Sequence, residues 1–332
     1  MTVLAALRAE LASATNQLLA TAASLSDADV RAPSRLPGWT RGHVLAHLAA
    51  NADSYVSLLA WARTGVRTPQ YSSYESRAAA IEAHALQPAA QHLARLEDGA
   101  ARFAAAVRNL PDRAWSARVE GLRPPPHPAW YVLVRRLREV GFHHVDLAAG
   151  YGPADWPDPF VRRELHDCHT TWPHDHSTVS EIILLTPPPP PPPHPATPIT
   201  HRPPPTHPGT PATPAVTPVT DGPSQPPLMR PMTPAAPVIH QSSPGSPPVT
   251  THRPLEIVAR WRGLGDGPAV AGTPRDMLAW LTGRSRGEGV SLLPVGQSFM
   301  PGPGGAGLPP PPPWLTMPAP ADLPATPPKD YP

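Results

Sequence analysis

Proline placement constrains this chain more than any other feature. Most of its 55 prolines lie beyond residue 186, with seven in a row from Pro187 to Pro193. Residues 1–165 have an ordinary globular texture. From Thr186 to about Pro254 the chain is Pro, Thr, His and Ala. Proline lacks the N–H donor, so this stretch cannot sustain helices or sheet ladders. Its apolar surface is too small to offset chain entropy, and the expectation is polyproline-II-like or disordered chain. The sequence therefore divides into a helical part (1–165), a low-complexity Pro/His/Thr-rich segment (166–254), the remnant of a small α/β domain (255–316) and a disordered tail (317–332).

The first 150 residues read as helices. Leu4, Leu7, Leu11, Leu18 and Leu19 make an apolar stripe over roughly 2–24. Thr40 stands where an N-cap is wanted, and a second helix runs to Thr64-Gly65. A third region covers 73–109 with a break near Gln87-Pro88, and a last helix runs from about Pro128 to Ala149, ended by Gly150. Four sizeable helices joined by loops predict an all-α four-helix bundle. Phe160–Leu165 reads as helical and Ile182–Leu185 as a short strand. Leu255–Gly263 alternates like a strand, and Gly272–Arg284 reads as a helix with Thr273 as N-cap and Pro274 at its first position.

A formal charge of +2 and scattered arginines give no nucleic-acid surface. Cys168 is the single cysteine, which rules out an intrachain disulfide and argues against a secreted disulfide scaffold. Arg8 and Glu10 interrupt any signal-peptide core, and no stretch approaches the roughly 20 apolar residues of a membrane span. The expectation is a cytoplasmic protein without membrane attachment.

Chemistry concentrates on two helices. Glu139 and His143 are four apart, so they project from one face of a helix; His43 and His47 do the same on another. A 2-His-1-carboxylate set is a common way to hold a catalytic divalent metal with coordination sites left open. A hydrogen-bonded core histidine, and a Glu139 paired with Arg135 or Arg136, are the alternatives that spacing leaves open. A second cluster (His166, Asp167, Cys168, His169, His174, Asp175, His176) is rich in potential ligands, but its spacing matches no zinc module and it reads as fortuitous.

Three segments, LPGWTRGHVLAHLAANAD, WARTGVRTPQYSS and REVGFHHVDLAAGYGPADWP, together resemble the N-terminal domain of mycothiol-dependent maleylpyruvate isomerases, members of the DinB-like superfamily of metal-binding four-helix bundles. The resemblance covers roughly residues 5–165. Later fragments, Gly272–Gly289 and Leu308–Leu315, resemble the end of the family's smaller C-terminal domain. The resemblance implies a divalent metal, zinc in most members, at the positions matching His47, Glu139 and His143, with His43 and His144 outside the ligand set. Asn51 and Asp53, one to two turns beyond His47, are read first as structural, with orienting that histidine or contacting a ligand as the alternatives. The resemblance further implies mycothiol as cofactor and a small dicarboxylate substrate: thiolate adds to the cis double bond of maleylpyruvate, the adduct rotates, and expulsion leaves fumarylpyruvate. Arg284 is the candidate to anchor the dianion; its other reading is a cation at a helix C-terminus. No mycothiol-contacting residue is assigned.

Family-like sequence stops near Leu165 and resumes near Leu255. Out-of-frame reading of GC-rich DNA, restored by a second frame change, would produce such text; a genuine linker or a P-x-x-P partner-binding arm would also. The alternatives to an isomerase are a related mycothiol-dependent transferase, or a non-catalytic metal-binding bundle with a Pro-rich arm.

Overall fold

The computed structural model describes residues 2–186, 256–293, 307–312 and 318–332. The low-complexity expectation for 187–254 lies outside the described residues.

The helical part begins with α1 (Val3–Ala23), capped by Thr2, and the short α2 (Asp27–Arg31), closed by a Ser26/Asp29 capping box. Helix α3 (Arg41–Thr64) ends at Gly65, whose φ of 74° is the left-handed conformation that a helix C-cap takes up most easily without a Cβ. Then come α4 (Tyr74–Ala85) and α5 (Ala89–Arg108), separated at Pro88 where the sequence placed a break. A two-stranded ribbon, β1 (Arg118–Val119) with β2 (His127–Pro128), leads into α6 (Tyr131–Asp146).

Helices α1, α3, α5 and α6 share one core. Leu7, Leu11 and Leu18 of α1 meet Leu45, Leu48, Tyr55 and Leu58 of α3, Phe103 and Val107 of α5 and Leu133 and Leu137 of α6. Helix α6 is buried on nearly every side, which marks it as the central element. Its C-terminal half also enters a second core. Phe142 and Val145 pack there with Trp156, Phe160, Leu165, Cys168, Trp261 and Trp280.

That second core belongs to α7 (Asp158–Thr170), a mixed sheet and α8. The strands are β3 (Glu181–Leu185), β4 (Ile257–Arg262), β5 (Ala269–Gly272) and, after α8 (Pro274–Leu281), β6 (Val290–Leu292). Their spatial order is β4-β3-β5-β6, with β3 antiparallel to β4 and parallel to β5. Helix α8 starts as expected, with Thr273 accepting from Asp276 N–H and Pro274 following.

Two boundaries drawn from the sequence shift. The low-complexity segment was taken to begin at residue 166, but α7 continues to Thr170 and β3 lies at the centre of the sheet. The reason is the apolar run Ile182–Leu185, buried throughout, which is enough for a central strand. The tail, expected to be disordered, lies against the helices over residues 318–332. Trp130 Nε1 donates to the Pro324 carbonyl (2.9 Å), Tyr331 packs edge-on to Trp130, and the Tyr331 hydroxyl donates to Asp167 (3.2 Å). A proline-rich strand needs no internal hydrogen bonds, so two aromatic contacts suffice to seat it.

Thr186 N–H donates to the Glu256 carbonyl (2.8 Å), and Glu256 N–H donates back to the Thr186 hydroxyl (3.0 Å). The two ends of the proline-rich segment thus meet at the end of the β3–β4 ladder.

Candidate metal centre

The N-terminus of α3 separates its two histidines. Thr40 Oγ1 accepts from His43 N–H, and His43 Nδ1 accepts from Thr40 N–H (3.2 Å), a capping box with histidine in the place usually held by Glu or Gln. His43 is thereby committed to the helix end, with Glu82 at 3.4 Å from its Nε2. One turn on, His47 is 3 % exposed and points at α6.

His47 Nε2 lies 2.9 Å from Glu139 Oε2 and 3.1 Å from His143 Nε2, and the last pair is 3.4 Å apart. Among the described residues this is the one group of three His, Cys, Asp or Glu residues whose ligand atoms converge. Tetrahedral coordination at metal–ligand distances near 2.0–2.1 Å sets ligand atoms about 3.3 Å apart. The observed spacing is within a few tenths of an ångström of that.

The surrounding bonds set the tautomers. His143 Nδ1 faces Asp146 Oδ2 at 2.8 Å, so it is the N–H and Nε2 presents its lone pair to the centre. Asp146 is gripped by Arg284, whose Nε and Nη2 donate to its two oxygens (3.1 and 2.6 Å). His47 Nδ1 instead meets Arg77 Nη2 at 3.0 Å. A guanidinium only donates, so the His47 proton here sits on Nε2, shared toward Glu139 and His143. A cation at the centre would take that proton's place, with Nδ1 becoming the N–H and Arg77 turning from it. With that one adjustment the donor set fits a divalent ion.

The electrostatics favour a cation. Burial alone would raise Glu139, but the adjoining His143 and His47 hold it well below the usual carboxylate range. Burial opposes charge on His143, yet Asp146 and Glu139 raise its pKa. Burial pulls His47 down to about 4, leaving a neutral imidazole. Asp146, despite burial, is held low by His143 and Arg284.

The trio lies in the wall of a cavity of about 420 Å3. Trp39 sits edge-on to His47, and Phe142 lies beneath the Arg284 guanidinium. Arg77, Arg123, Arg135, Arg138 and Arg284 line it, against Glu139 as the lone carboxylate. Such a lining selects for anions.

Arg284, expected as a substrate anchor, is already engaged: Asp146 takes Nε and Nη2, and Nη1 donates to the Thr282 carbonyl (2.6 Å). Asn51 and Asp53 do not reach the trio; they accept from Arg136 and Arg102. His144 contacts Thr21 and stacks on Tyr151. The second histidine cluster disperses. Asp167 pairs with Arg138, Cys168 is buried, His169 stacks on Trp261, and His174 and His176 flank a short turn. Asp146, three residues after His143, was legible in HHVD as an i,i+3 partner but was not singled out. Arg77 carried no sequence signal, because it reaches His47 from α4.

Fold and site together define a helical domain with a converging His/Glu/His trio in an arginine-lined cavity, continued by a small mixed α/β region. The family profile of the mycothiol maleylpyruvate isomerase N-terminal domain matches residues 11–148. Over those residues the chain is similar to the N-terminal domain of that family. Two solved structures, of the mycothiol-dependent maleylpyruvate isomerase and of a histidine-to-alanine variant of it, each superpose with a TM-score of 0.61 at 21 % identity, covering 90 % of this chain and 96 % of theirs. That likeness extends the shared fold beyond the helical part. No curated protein sequence matches the chain.

Proposed function

We propose that this chain is a metal- and mycothiol-dependent isomerase that converts maleylpyruvate to fumarylpyruvate by reversible thiol addition. The helical part is read as a DinB-like four-helix bundle formed by α1, α3, α5 and α6. One observation carries the proposal: the ligand atoms of His47, Glu139 and His143 stand at coordination spacing in the wall of a cationic cavity.

His47, Glu139 and His143 would hold the ion, zinc in the family reading. When bound, a divalent cation lowers the pKa of a thiol and so supplies thiolate at neutral pH. The chain's own residues do the rest. Asp146 fixes the tautomer of His143, and Arg284 fixes Asp146, so Arg284 acts as a positioning residue rather than as the anchor itself. Arg77, Arg123 and Arg135 are left to meet the carboxylates of a dianion. Trp39 and Phe142 put apolar surface into the cavity wall, which strengthens those charge interactions.

A related mycothiol-dependent transferase would use the same trio and differ only in what the arginines hold. Metal analysis of purified protein and of His47→Ala, with a fumarylpyruvate assay, tests both readings. We expect one zinc per chain, lost together with isomerisation in the variant. Metal-loaded protein that leaves maleylpyruvate unchanged in the presence of mycothiol removes the isomerase reading. Protein that takes up no metal removes the site.

A further inference from the structure

A second cavity of about 420 Å3 opens between α1 and α5 and reaches α6. Its outer walls carry small residues, Ala12 on α1 and Ala101 and Ala104 on α5, where larger side chains would close the helices onto each other. The deeper walls, Leu11, Phe103 and Leu133, are buried and apolar. At its floor stands Arg136, 3 % exposed.

Arg136 is the anomaly. Its Nη1 donates to the Leu48 carbonyl (3.0 Å) and to Asn51 Oδ1 (2.7 Å), both neutral groups. Among the described residues no carboxylate forms an ion pair with it; Glu139 and Asp53 act on it only through space, and its hydrogen bonds are made by Nη1. The other two buried arginines are paired: Arg138 with Glu164 and Asp167, Arg163 with Glu10. A buried guanidinium that no carboxylate touches is costly, and an apolar cavity that ends on one favours an anion there. At the mouth Arg8 and Arg108 outnumber Glu97, so the potential there favours an anion entering.

We propose that this cavity binds an amphiphilic monoanion, a carboxylate on an alkyl or aryl body of medium length. The carboxylate matches the planar fork of Arg136. The body lies along the alanine-lined gap, in a volume within the ordinary range for small-molecule sites. This assignment is independent of the isomerase reading, since none of these cavity residues belongs to the His/Glu/His trio.

Calorimetric titration of the full chain tests it, with octanoate as probe and 1-octanol and butyrate as controls. The expected result is one saturable site per chain that prefers octanoate to either control by tenfold or more. Ala104→Trp, which fills the gap, should weaken octanoate at least tenfold while zinc content stays that of wild type. Arg136→Met should bring octanoate and octanol to equal affinity. Absence of saturable octanoate binding, equal binding of octanol by wild type, or octanoate binding unchanged by Ala104→Trp would each overturn the proposal. So would a concentration-dependent dimer that Ala104→Trp dissociates, because the gap would then belong to a second copy of the chain.

Discussion

Two histidines one turn apart on α3 have opposite fates, and their first hydrogen-bond partners decide it. His43 is spent on the Thr40 capping box, whereas His47 turns into the cavity. We expect His43→Ala to cost about 1 kcal/mol in chemical denaturation, the usual worth of a cap, with zinc content unchanged. Asp146→Ala should lower zinc affinity roughly 10- to 100-fold in a chelator competition, the usual cost of losing the group that orients a ligand histidine. Arg284→Met should lower it by less, because Asp146 keeps its bond to His143. Equal and unchanged affinity in both variants would detach this pair from the centre. At this scale the sequence was informative where spacing is local. Glu139 and His143 share a helix face by arithmetic, and the surrounding motif chose His47 over His43. It was silent on Arg77 and on the pairing of Arg284 with Asp146, because both are contacts between distant elements that no local spacing encodes.

At the level of elements, α6 and α7 are joined by buried charge. Arg138 donates to Glu164 (2.5 Å) and Asp167 (2.6 Å), Tyr131 donates to Asp167, and Glu164 Oε1 has no hydrogen-bond partner among the described residues. Arg138→Met would strand two buried carboxylates, and we expect a loss of about 3–5 kcal/mol in denaturant unfolding. The same pair of helices comes together at Gly141, where a Cβ would meet the Phe160 ring at 2.6 Å. Gly141→Ala should therefore cost about 1–3 kcal/mol through overpacking. Element existence was readable because each helix carried its own apolar stripe, cap and breaker. The extent of α7 and the placement of β3 were harder. Both depend on burial against Trp261, Met277 and Trp280, which follow the proline-rich text.

For the molecule as a whole, buried histidines set the acid limit. Burial holds His127 down to about 3, and burial also lowers His92. An unfolded histidine titrates near 6.5, so between that pH and the folded value the unfolded chain binds more protons. Stability should therefore be full above about pH 6.5 and decline as pH falls below it. His127→Phe should flatten the dependence of melting temperature on pH between about 6.5 and 4. A variant with the wild-type slope would place the acid sensitivity elsewhere.

The clasp between Thr186 and Glu256 carries one more consequence. Because β3 and β4 hold Thr186 and Glu256 together, the sheet's register and the His/Glu/His trio are set by contacts among residues on either side of the proline-rich run. Replacing residues 188–254 by a short turn between the two strands should leave zinc content as it was, read by metal analysis of the purified variant.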